Sequence, residues 1–168
     1  MRDYDYYFTG YDVPDYLKQT VINIMRRFSI WGQCDGMYIC NVIAKQSGFG
    51  NGNGTFETGN RRIEAEKITD YLQYAYGCNI LPEEKDDLKE ILQTGRIDSK
   101  NMQKGIQAYI KRCYKEVKDP KCMDWRKRYL RICIEQANIT LQEIKKRREE
   151  KAHDRYRKEE CVGNVSVQ

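Results

Sequence analysis

Residues 123–151 read MDWRKRYLRICIEQANITLQEIKKRREEK, and this stretch decides the fold. Leu130, Ile134, Ala137, Leu141 and Ile144 keep a 4-3-4-3 spacing, the interval that aligns side chains along one side of an α-helix. Trp125, Ile132 and Ile139 recur every seven residues on a second side. Two apolar seams predict a helix buried twice, either centrally in a bundle or against a second molecule, so a homodimer through this helix is one arrangement the pattern allows. After Ile144 the apolar residues stop. Lys145-Lys146-Arg147-Arg148-Glu149-Glu150-Lys151, followed by Arg155, Arg157 and Lys158, cannot bury itself. The helix is therefore expected from Met123 to about Glu160, with 145–160 projecting as a solvated extension or a partner-binding arm and 161–168 as a disordered tail.

Upstream of this helix, between Ser99 and Lys118, Lys100, Lys104, Lys111, Lys115 and Lys118 fall on one helical stripe. At about 100° per residue they share roughly 60° of azimuth, while Met102, Ile106, Tyr109, Ile110, Cys113 and Val117 occupy the other side. A solvated face usually mixes both signs, because Glu–Lys pairs at i,i+4 support it. Here Glu116 is the one acid between Lys100 and Lys118, and it lies off the stripe. The chain's charge follows the same division. Residues 1–99 carry eleven basic and fifteen acidic side chains, whereas residues 100–131 carry eleven basic against three acidic. A basic surface on a near-neutral body implies a polyanion or an acidic protein surface as partner.

The remaining pattern is helical. Asp12 is expected as an N-cap and Pro14 as a first-turn residue of a helix carrying Leu17, Val21, Ile24, Met25 and Phe28. A second, short helix uses Met37, Cys40, Ile43 and Ala44, and a third, from about Arg61 to Tyr76, uses Ile63, Ile68, Tyr71, Leu72 and Ala75. Pro82 opens a fourth helix, and Gly95 ends it. Glu83, Glu84, Asp86 and Asp87 crowd its first turns, where the helix dipole favours negative charge. The tyrosine-rich start, Tyr4, Tyr6, Tyr7, Phe8 and Tyr11, is expected to pack as an arm. The fold class is mainly α: a helical bundle with a long C-terminal helix and at most a small hairpin near the N-terminus or the glycine loop. Residues 1–144 form a single helical domain in this reading, with parts 13–78 and 79–144.

Several kinds of chemistry are disfavoured. Seven cysteines at irregular spacing include no C-x-x-C pair, and His153 is the single histidine, which argues against a zinc site. Cys113 and Cys133 fall among apolar helix positions and read as small core residues, as expected in a reducing compartment. The run Ser47-Gly48-Phe49-Gly50-Asn51-Gly52-Asn53-Gly54 satisfies neither G-x-G-x-x-G nor the Walker pattern and follows a helix, so it reads as a connector. No membrane span or signal peptide is apparent, and a cytoplasmic location is expected. With no Ser/His/Asp set or metal-ligand spacing, an enzyme is not expected and no cofactor is implied.

Val13-Pro14-Asp15-Tyr16, Val21-Ile22-Asn23, Gly32, Ile39-Cys40-Asn41, Phe49-Gly50 and the stretch from Asn60 through Tyr71-Leu72 give residues 13–78 a resemblance. This part is similar to short uncharacterised proteins of phages and integrative elements of gut Firmicutes. Ile30 and Trp31 replace the turn prolines of that group, and the glycine run lengthens the loop after Phe49-Gly50. The resemblance implies a mobile-element context and carries no catalytic residue.

The expected function is accordingly non-enzymatic: a phage or mobile-element accessory protein that inhibits a host nucleoprotein defence complex of the CRISPR type through a basic helical surface. The alternative is a sequence-tolerant DNA- or RNA-binding accessory protein. The residues expected at the interface are Lys100, Lys104, Lys111, Lys115 and Lys118, with Arg126, Lys127, Arg128 and Arg131 beside them.

Overall fold

Pro14 fixes where the first helix begins, and in the computed structural model it is the N-cap itself: at ψ 143° it is still extended, and its carbonyl accepts from the N–H groups of Leu17 and Lys18 at 3.0 Å. The structure describes residues 7–8, 13–43, 61–76 and 80–166. Asp12, expected as the cap, lies outside them. Among the described residues there are six helices and no strand: α1 (Asp15–Arg27), α2 (Gln33–Ile43), α3 (Arg61–Tyr76), α4 (Pro82–Thr94), α5 (Lys100–Val117) and α6 (Asp124–Ser166). The glycine loop, and with it the hairpin considered there, also lies outside.

Local chemistry explains the boundaries. Pro82 supplies the preset φ of a first helical residue, and the Glu84 carboxylate accepts from the Leu81 N–H at 3.3 Å. Gly95 ends α4 at φ 71°, a left-handed conformation that costs glycine least, and its N–H donates to the Ile91 carbonyl at 2.7 Å. The Ser99 hydroxyl caps α5 by accepting from the Met102 N–H at 3.1 Å. After α1 the chain turns at Ser29, a non-glycine residue at φ 52°. Its hydroxyl donates to the Cys133 carbonyl of α6 at 3.2 Å, which ties the turn to the long helix.

α5 and α6 form a helical hairpin across the turn at 118–123; α1 packs on α6 and α4 on α5, while α2 packs on α1 and α3, and α3 on α4. One contiguous apolar cluster takes residues from all six helices, including Leu17 and Ile24 of α1, Ile39 of α2, Ile68 of α3, Leu88 of α4, Ile106 of α5 and Leu130 of α6. The parts 13–78 and 79–144 thus share a core. Tyr7 and Phe8 are buried in it; Tyr4, Tyr6 and Tyr11 of the expected arm lie outside the described residues.

The five residues of the first α6 seam, Leu130, Ile134, Ala137, Leu141 and Ile144, are all buried. The second seam is not. Trp125 is 60% exposed and Ile132 and Ile139 are each 44% exposed, because α5 and α1 both pack on the first side of α6. On α3, Ile63 is half exposed and Ala75 is exposed, while Glu64 and Thr69 are buried, so its apolar face is rotated from the expected one. Residues 161–166, expected as a disordered tail, continue α6. Extending an existing helix costs far less than nucleating one, and no proline interrupts this segment.

Candidate functional site

α5 sets out the candidate surface. Its core side is Met102, Ile106, Ile110 and Cys113, all buried, and the lysine stripe lies on the far side of the helix. Lys100, Lys104, Lys111, Lys115 and Lys118 are all exposed, and among the described residues none of them makes an ion pair. From Lys100 to Lys118 the rail covers about 27 Å at about 1.5 Å per residue.

The tertiary structure brings acids beside the stripe that α5 itself lacks. Lys104 lines a cavity of about 560 Å³ together with Glu83, Glu84, Asp86 and Asp87 of α4. Lys115 lines a second cavity, of about 440 Å³, with Glu116 and Asp119. Three of these six acids already have cationic partners. Glu84 pairs with Arg112 at 2.5 Å, Asp87 with Arg27 at 2.8 Å and Glu116 with Arg126 at 2.9 Å. Glu83 and Asp86 are exposed next to Lys104, so the Lys111–Lys118 half of the rail is the more positive.

The four cations expected on α6 separate. Arg126 turns onto α5, bonding Glu116 and stacking over the Tyr129 ring at 5.2 Å, so it is a packing residue and not a free positive charge. Lys127 is half-buried. Arg128 and Arg131 are exposed and make no ion pair among the described residues. Further along, the charged end of α6 is anchored before it projects: Lys151 bonds the Asp98 carboxylate at 2.9 Å, and Arg148 donates to the Asp98 carbonyl at 3.5 Å. Residues 149–158 are exposed.

Beneath the rail lies a buried charge network that periodicity does not reveal. Arg27, fully buried, donates to Asp87 from Nε at 3.1 Å and from Nη2 at 2.8 Å, with Glu84 at 3.8 Å. Burial outweighs these bonds at Asp87 and raises its carboxyl above the ordinary value. Gly105 makes the approach of α5 to this pair tolerable: a Cβ there would meet Asp87 Oδ2 at 2.2 Å and Arg27 Nη2 at 2.7 Å. A lone glycine inside a lysine-rich helix was the available signal for such a close approach.

Burial pushes the Cys40 thiol up to about 12 and the Cys113 thiol up to about 11, so both stay neutral, as core residues do. His153 is exposed on α6. Among the described residues no group of three His, Cys, Asp or Glu side chains could hold a metal ion, and no helix is long and apolar enough to cross a membrane.

No family model matches the chain, and no curated protein or solved structure matches it. The surface is a row of exposed lysines, without ion pairs among the described residues, on a helix backed by the core.

Proposed function

We propose that the protein acts by binding, without catalysis, and that it lays the lysine face of α5 along the phosphate backbone of a nucleic acid. In its most specific form it is a phage or mobile-element accessory protein that inhibits a host nucleoprotein defence complex. The observation that carries the binding reading is the set of five exposed lysines, none of them ion-paired among the described residues. Lysines already neutralised by acids of their own chain would have fewer counterions to exchange for phosphates. The mobile-element part of the proposal rests on the resemblance of residues 13–78.

Fluorescence anisotropy of labelled duplex DNA and of RNA across a salt series tests the binding. Five phosphate contacts correspond to a slope of log K against log salt of about −4.5 on duplex DNA. A Lys104→Glu/Lys111→Glu/Lys115→Glu variant should lose the binding while keeping its helical content. Absence of binding at low salt would refute phosphate contact by α5. The inhibitor and the plain nucleic-acid binder then separate on one comparison: an inhibitor co-purifies with a host nucleoprotein complex, whereas a plain binder shifts bare duplex without help.

A further inference from the structure

Trp125, Ile132 and Ile139 form an apolar line about 21 Å long on the outer side of α6, and the protein's own core leaves it uncovered. Beside this line, about 60° of azimuth away on the same flank, stand Arg128 and Glu135. They are seven residues apart, hence nearly in register along the helix and too distant to pair with each other. Both are exposed, and neither has an ion-pair partner among the described residues.

We propose that this face is the contact between two copies of the chain, whose α6 helices pack antiparallel about a two-fold axis passing by Ile132. Ile132 then meets Ile132 of the second copy, and Trp125 meets its Ile139. The charges select this arrangement. In an antiparallel pair the same flank of each helix faces its twin with the direction reversed, which brings Arg128 within reach of Glu135 of the second copy, twice over by symmetry. In a parallel pair, related by an axis along the helices, the two Arg128–Glu135 flanks would lie on opposite edges of the contact and Arg128 would not meet Glu135. The mixed flank also separates this face from the lysine rail, because Glu135 repels a phosphate backbone while complementing a second copy. The contact is short, at the low end of the roughly 1,200–2,000 Å² of specific interfaces, so the dimer is a concentration-dependent one. It stands whether or not α5 binds a polyanion.

Sedimentation equilibrium without nucleic acid, near 0.15 M salt, decides it. The expected result is a reversible transition from the 20.0 kDa chain to twice that mass as concentration rises. Ile132→Lys places two ammonium groups on the axis and should leave a monomer with unchanged helix signal and melting temperature, since Ile132 is not a core residue. Arg128→Glu alone and Glu135→Arg alone should each weaken the dimer about tenfold or more, and the double reversal should restore it. A 20.0 kDa species at every concentration overturns the proposal. So does an Ile132→Lys variant that dimerises like the parent. A double reversal that stays as weak as the single ones overturns the antiparallel register.

Discussion

Arg27 is a residue on which a large penalty rests, because it is fully buried and its Nη1 has no hydrogen-bond partner among the described residues, while Asp87 takes its hydrogen bonds from the other two nitrogens. Arg27→Met strands the Asp87 carboxylate in the core and should cost about 3–5 kcal/mol in urea unfolding. Adding Asp87→Leu should return much of that loss, since a buried ion pair replaced by apolar side chains of similar size is often neutral. At Gly105 the opposite error is available. Gly105→Ala drives a methyl group into Asp87 and should cost about 1–3 kcal/mol by overpacking, read from the same unfolding curves. The buried ion pair was not legible from the residue types: Arg26 and Arg27 look like ordinary basic residues closing α1, and Glu84 and Asp87 look like acids placed at a helix start for its dipole. Periodicity reports which side of a helix is buried, and it is silent on which charged side chains the tertiary packing will enclose.

At the scale of elements, α6 is the helix whose two sides have different fates. The 4-3-4-3 spacing identified its buried side correctly, whereas the side marked by the seven-residue spacing, expected to be buried as well, is left exposed by the bundle. Which seam the bundle covers depends on where α5 and α1 approach, and a single helix's sequence does not carry that. The charged end of α6 offers its own prediction. The hydrogen bond from Lys151 holds the Asp98 carboxyl below the usual carboxylate range. A depressed folded-state value means that the pair's stabilisation is present above the unfolded value and is lost as pH falls through the folded one. Both partners are partly exposed, so the contribution is at most about 1 kcal/mol. Asp98→Asn should therefore reduce the helical Cα chemical shifts of residues 148–158 at neutral pH. The difference from the parent should disappear once the solution is acid enough to protonate Asp98.

Across the whole molecule, the acidic first 99 residues and the basic stretch that follows share one core, so the division of charge is a division of surface and not of domains. The mainly α class and much of the order of helices were readable because α1, α4, α5 and α6 carry their own punctuation in Pro14, Pro82, Gly95, Ser99 and Asp119-Pro120. The exposed part of the molecule can be pared back. Residues 152–168 hold three basic and three acidic side chains, and residues 152–158 are exposed. Deleting 152–168 should move the melting temperature by no more than about 2 °C, the size of shift a surface change of a few tenths of a kcal/mol produces. It should also leave the salt slope of nucleic-acid binding unchanged. α6 has a last consequence in how the protein moves through water. At 43 residues it is about 65 Å long, against the roughly 40 Å width expected of a compact body of this chain length. Rotation about the α6 axis meets less drag than end-over-end tumbling. The ¹⁵N relaxation rates of amides aligned with that axis should therefore differ from those of amides lying across it.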